Sequence, residues 1–344
     1  MIHMDRNTSP LPPLSHEALM EAVGETALNE YPSVEIGRFK RLYADYYDIG
    51  SDTVEVANGS DEWIQKAIMT LGQGGVMTLE PDFVMYHEYA RQIDVPVHTI
   101  PCDDDFLFDF SAVIGEVEAK RPSLFLISVP HNPTGQMFSP DDLQRLSDAM
   151  ASHGGYLILD EAYYEFASPY VRPTGQHVLI IRTLSKMFGV AGLRIGIAIG
   201  EGEAFRRITR INHPYPVNAL SLNIASRIFE DREALEAFIE YQLESKRQLA
   251  AALGNISDEV AVLESSTNFI FTYGEHARDL GHFMKTRGYQ PRMYDTAPLD
   301  EAVRYSIIKH EDYDRFNQLI KEWSNRHDQQ GTHDKRNGNL NSTR

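Results

Sequence analysis

In "RTLSKMFGVAGLRIG", residues 182–196, a hydroxyl, an amine and a guanidinium stand in one short apolar stretch. Ser185 directly precedes Lys186, and Arg194 follows eight residues later. A serine and an arginine converging on one dianion leave the lysine amine free to meet an aldehyde on the same ligand. Pyridoxal phosphate is a ligand of that kind. A lysine after a strand is more often a solvated surface charge, so the reading depends on companions elsewhere in the chain.

Such a cofactor makes further demands, and each has a candidate. Its phosphate needs backbone N–H groups at a helix start, and "NGSDEWIQKA" (58–67) supplies a glycine, then Ser60 and Asp61 at the head of an amphipathic run. Its ring nitrogen needs a carboxylate at the end of a buried strand, and Asp160 closes "YLILD". Its ring oxygen needs neutral donors, which Asn132 in "PHNPTG" and Tyr163 in "DEAYYEF" can provide. Its ring face needs an aromatic, and Phe83 in "EPDFVMY" follows a strand. Each also has a plain structural explanation: a helix cap, a salt-bridge partner, a turn residue, a core tyrosine, ordinary packing.

These residues must be positioned by a repeating scaffold. From residue 54, short β-branched runs alternate with longer amphipathic ones: "VEVAN", "DEWIQKAIMTL", "GVMTLE", "FVMYHEYARQI", "VPVHTI". The rhythm continues through "SLFLISVP", a helix from about Pro140, "YLILD", "VLIIRTL" and "LRIGIAIG". It predicts an α/β fold with a mainly parallel sheet sandwiched by helices, its site at the carboxyl ends of the strands. A long helical stretch (232–255) and a shorter α+β section follow. The expected organisation is a large cofactor-binding domain at 32–232 and a smaller domain built from 1–31 and 233–325. The polar tail 326–344 is expected to lack order. The proline-rich "NTSPLPP" reads as an extended arm lying over another surface.

Bulk properties narrow the function. The 344 residues include 50 acidic and 32 basic side chains, a formal charge of −18, which disfavours nucleic acid and anionic membranes as partners. Anionic ligands must then be caught by local arginines. Cys102 is the single cysteine, so an intrachain disulfide is excluded and a reducing cytoplasm is expected. The apolar runs fall short of a membrane span. The 13 histidines are scattered with no HExxH pattern, so no metal is expected.

In order and spacing these motifs resemble the fold-type I pyridoxal-phosphate aminotransferases. "LILDEAYYEF", "RTLSKMFGVAGLRIG" and "NGSDEWIQ" are most similar to the histidinol-phosphate aminotransferase group, and the likeness runs from about residue 5 to residue 322. The resemblance implies that Lys186 carries the cofactor aldehyde on its amine and then moves the substrate proton. Asp160 would pair with the ring nitrogen, Asn132 and Tyr163 would hold the ring oxygen, and Phe83 would stack on the ring. The backbone of Ser60 and Asp61, the Ser185 hydroxyl and Arg194 would hold the phosphate. Tyr31, in "NEYPSVEIGRF", matches the tyrosine that reaches the partner subunit's cofactor, which implies a homodimer. Arg304 matches the α-carboxylate arginine, Asn268 lies in the strand before it, and Arg292 matches the arginine for a distal substrate phosphate.

The chain departs from that group in places. The family's Asn-Glu-Asn-Pro loop reads "RNTSPLPP" here, keeping Asn7 as a substrate-binding candidate together with Pro10, and implying a different substrate lid. His131 stands where asparagine is frequent, and His213 where arginine is common. The implied activity is ping-pong amino transfer between an amino acid or histidinol phosphate and a 2-oxo acid such as 2-oxoglutarate. Aromatic amino-acid transamination and a threonine-phosphate decarboxylase-like reaction remain open within the fold. An effector domain of a transcription regulator is disfavoured, because no basic DNA-binding segment precedes the motifs.

Overall fold

A computed structural model describes residues 1–338, with side chains to Arg326. Among the described residues, two sheets organise the chain. The chain opens with strand β1 (Ile2–Met4) and helices α1 (His16–Gly24) and α2 (Ser33–Tyr47). There follow β2 (Val54–Asn58), α3 (Ser60–Leu71), β3 (Val76–Glu80), α4 (Met85–Arg91), β4 (Val97–Pro101), α5 (Phe110–Lys120), β5 (Leu124–Ser128), α6 (Pro140–Ser152) and β6 (Tyr156–Asp160). Next come β7 (Val178–Thr183), β8 (Ile195–Ile199), α7 (Glu203–Thr209), α8 (Ala219–Glu230) and α9 (Arg232–Gly254). The last elements are β9 (Ala261–Val262), β10 (Phe269–Tyr273), α10 (Ala277–Thr286), β11 (Tyr289–Met293), β12 (Val303–Ser306) and α11 (Tyr313–Gly338).

The large sheet has the order β2-β8-β7-β6-β5-β3-β4. Its strands run parallel except β8, which opposes both β2 and β7. Alternation within the strands explains why both faces carry helices. In β5, Leu124 and Leu126 join the cluster under α3, α4 and α7, while Phe125 and Ile127 join the cluster under α5 and α6. β5 is therefore apolar on both sides. The small sheet has the order β1-β11-β12-β10-β9, with β1 parallel to β11 and the other pairs antiparallel. A third apolar cluster runs from Phe39, Tyr163 and Phe188 to Phe269, Tyr305 and Trp323, so the core is continuous between the sheets.

Two features differ from expectation. The N-terminal arm contributes a strand, β1, before its extended segment. The tail expected to lack order from residue 326 continues as helix α11 to Gly338, and the rest of that expectation, 339–344, lies outside the described residues. Burial of Phe316, Ile320 and Trp323 anchors the first turns of α11, after which each further residue extends an existing helix at little cost. Among the described residues no helix is long and apolar enough to cross a membrane.

Candidate active site

The carboxyl ends of the parallel strands deliver the chemistry to one place. β2 leads into Ser60 and Asp61, β3 into Phe83, β5 into Asn132, β6 ends at Asp160 and leads into Tyr163, and β7 leads into Ser185 and Lys186. Together with Arg194, these residues line one cavity of about 160 Å³. Because β8 runs antiparallel to β7, the link between them turns back at that same edge. Lys186 lies in this link and Arg194 closes it.

At the anion end, helix α3 starts at Gly59 without a side-chain cap, so its first N–H groups stay available to a ligand. Gly59 has φ of 83°, and a Cβ there would come within 2.5 Å of Arg194 Nη2. A Cβ on Gly196 would meet the backbone of Gly59 at 2.1 Å, so only glycine lets β8 approach the start of α3 this closely. Arg194 itself has a left-handed φ of 56°, an unfavourable conformation for a side-chain-bearing residue. It turns the guanidinium toward α3, where Nη2 donates to Asp61 Oδ2 at 2.9 Å. Thr183 Oγ1 donates to the Ser185 hydroxyl at 2.9 Å and fixes its rotamer.

At the other end, Asp160 is buried, and burial pushes its carboxyl up to about 6 despite nearby Lys186. Tyr86, a residue the motifs did not single out, donates its hydroxyl to Asp160 Oδ2 at 2.9 Å, and Ala162 N reaches Oδ1 at 3.3 Å. Burial holds the Tyr86 phenol well above its usual range, so it remains a donor. The Tyr86 ring also meets Phe83 edge to face, with centroids 5.5 Å apart. The spacing of Phe83 and Tyr86 in "FVMY" was the available signal. Lys186 Nζ lies 5.6 Å from the Tyr163 ring centroid.

A second cavity, of about 560 Å³, adjoins the first and shares Phe83, Asn132, Tyr163 and Lys186 with it. Arg292, Arg304 and Asn7 line it, as do Arg6 and Tyr294, which sequence reasoning missed. Asn7 is buried with a φ of 53°. It donates from Nδ2 to Tyr163 Oη at 2.8 Å, and its Oδ1 accepts from Ser306 Oγ at 2.7 Å. Asn268 is not among the lining residues of either cavity. It stands behind Asn7, donating from Nδ2 to Asn7 O at 3.0 Å. Tyr31 is exposed, stacked on Tyr215 at 4.7 Å, and outside both cavities of its own chain.

An uncapped helix start with a serine and an arginine, an amine, and a buried carboxylate in one cavity fit pyridoxal phosphate. The fold and this site define a pyridoxal-phosphate enzyme of fold type I. The chain belongs to the aminotransferase class I and II family, whose profile matches residues 3–286, and it is a pyridoxal-phosphate-dependent transaminase. It is 28% identical over 296 residues to a histidinol-phosphate aminotransferase of Clostridium novyi, covering 84% of this chain and 82% of that protein. It is 30% identical over 253 residues to a histidinol-phosphate aminotransferase of Pyrococcus furiosus, covering 72% and 73%. The solved histidinol-phosphate aminotransferase of Sinorhizobium meliloti in complex with pyridoxal 5'-phosphate superposes with a TM-score of 0.81 at 21% identity, over 94% of this chain and 91% of that one. That likeness is one of fold.

Proposed function

We propose that the chain transfers an amino group from histidinol phosphate to 2-oxoglutarate, in two half-reactions at one site. The observation that carries this reading is the register of the small sheet: Arg292 on β11 stands directly opposite Arg304 on β12, and both line the cavity beside Lys186. Two cations at facing positions repel each other. A phosphate-bearing substrate relieves that repulsion and occupies both.

Bound pyridoxal phosphate supplies an electron sink for the carbon that loses its proton. In this reading Lys186 accepts that proton and returns it one position away, Asp160 keeps the ring nitrogen charged, and Tyr163 and Asn132 hold the ring oxygen. Arg304 takes the substrate anion during one half-reaction and the oxo-acid carboxylate during the other.

The functional unit in this reading is a homodimer in the cytoplasm. Leu28, Tyr31 and Val34 form an exposed apolar stretch, a surface that a second copy would cover while Tyr31 reaches the partner's cofactor.

Mixing the holoenzyme with histidinol phosphate, phenylalanine or threonine phosphate in separate cuvettes tests the substrate. Rapid loss of the bound pyridoxal phosphate band with histidinol phosphate supports the reading. Conversion by phenylalanine alone would make it an aromatic aminotransferase, and carbon dioxide release from threonine phosphate would make it a decarboxylase. Size-exclusion chromatography with light scattering tests the dimer.

A further inference from the structure

Among the residues lining the adjoining cavity is a second acid with a buried side chain that the roles above leave unused. The side chain of Asp82 is 1% exposed, at the turn between β3 and Phe83. Its Oδ1 accepts from Phe83 N at 2.7 Å and from Ser128 Oγ at 2.5 Å, and its Oδ2 accepts from Ser128 N at 3.3 Å. Ser128 Oγ in turn accepts from Asn132 N at 2.9 Å. One carboxyl therefore ties down the backbone of the ring-facing aromatic and, through one serine, that of the asparagine expected at the ring oxygen. Nothing in "EPDFVMY" and "SVPHNPTG" reveals this link, because the two segments are joined only when β3 and β5 lie side by side.

Burial and the facing Asp160 oppose a negative charge on Asp82 and outweigh the three hydrogen bonds it accepts, which favour one. Asp160 from β6 and Tyr86 from α4 face it, and the base nearest to it is His131, whose Nε2 lies 3.7 Å from Oδ2. The His131 ring is fully buried, Nδ1 is paired with Thr134 Oγ1 at 2.7 Å, and Nε2 has no hydrogen-bond partner among the described residues. Lys186 stands beyond, near Asp160. Burial pulls His131 down to about 3 and pushes Asp82 up to about 8, which holds both toward their neutral forms near pH 7.

We propose that Asp82 is a positioning residue that works as a neutral, protonated acid, pinning Phe83 and, through Ser128, Asn132 at the wall of the cofactor cavity while leaving Asp160 as the carboxylate for the ring nitrogen. An asparagine can replace a protonated aspartate in this role; an alanine cannot, because buried donors then lose their acceptor.

The test is the affinity of the apoprotein for pyridoxal phosphate near pH 7, with infrared spectroscopy of the protonated-carboxyl band. Asp82→Ala is expected to weaken binding at least about tenfold, and Asp82→Asn by less than about threefold. The protonated-carboxyl band of the wild type should shrink in Asp82→Asn. Equal weakening in both variants, an undiminished band, or wild-type affinity in Asp82→Ala would each overturn the proposal. Should Asp82→Ala fail to fold, Ser128→Ala replaces it: weaker binding supports the link to Asn132, and unchanged binding refutes it. No amino donor is involved, so the outcome is independent of the substrate.

Discussion

Arg304 Nη1 donates to Asn132 Oδ1 at 2.6 Å, joining the small sheet to the loop after β5 of the large one. The substrate-anion candidate and the ring-oxygen candidate thus hold each other. Arg304 also donates from Nη2 to Asp5 O at 3.2 Å and sits over the Phe269 ring, Cζ to centroid 4.9 Å, while its buried Nε has no hydrogen-bond partner among the described residues. A guanidinium so enclosed is oriented before substrate arrives.

Arg304→Lys keeps the charge but gives up the planar fork and its several simultaneous bonds. The expected outcome is a fall in kcat/KM of about tenfold to a hundredfold for every amino donor, with pyridoxal phosphate affinity changing far less. Steady-state kinetics beside a cofactor titration checks it.

Arg292 is exposed at the cavity edge, its Cζ 5.3 Å from the Tyr294 ring centroid. Arg292→Ala should raise KM for a phosphorylated donor by about tenfold or more and leave phenylalanine within about twofold. Equal effects on both donors would remove the reason for naming a phosphorylated substrate.

Lys186→Ala deletes the amine while leaving its turn, which is closed by the backbone bond from Gly189 N to Lys186 O at 3.2 Å. Transamination should fall by about a thousandfold or more, and the melting temperature of the apoprotein should change little. Borohydride should no longer fix the cofactor to the chain. Near-normal turnover would rule out the assigned role.

The two buried aspartates make apoprotein stability depend on pH in a definite direction. Asp82 at about 8 and Asp160 at about 6 keep in the folded chain a proton that the unfolded chain releases near about pH 4. Their contributions are complete below about pH 4 and decline as pH rises, through about 6 for Asp160 and about 8 for Asp82. His131, pulled down to about 3, acts the other way, its contribution falling as pH drops below about 6.5. Between about pH 6.5 and about pH 8 the Asp82 effect stands alone among these three. Over that interval Asp82→Asn should gain on the wild type by up to about 2 kcal/mol in urea unfolding of the apoproteins. Parallel pH profiles would show that Asp82 is already ionised.

The gathering of the candidate cofactor residues around one cavity was legible because they follow strand ends in chain order. Each strand end is marked locally, by "NGSD", "EPDF", "PHNPTG", "LILD" and "TLSK", and a parallel sheet brings such ends to one edge whatever the details of packing. Asp82 adjoins Phe83 and Tyr86 follows three residues later, yet neither stands out in the sequence, because a tyrosine and an aspartate at a helix start have ordinary explanations. Asn268 was placed with the substrate through its neighbourhood in sequence; the fold sets it behind Asn7, since Asn268 leads into β10 while the arm of residue 7 crosses in front.

By itself the sequence determined the strand-helix alternation and singled out the lysine, the candidate anion partners and the candidate carboxylate, because these depend on short-range patterns of polarity and on residue chemistry. The tertiary structure alone decided that β8 runs against its neighbours, that Arg292 faces Arg304, that Asn132 bonds Arg304, and that Asp82 reaches Ser128. Each of those relations joins segments distant in the chain, and their pairing follows from sheet order and register, which neither segment encodes alone.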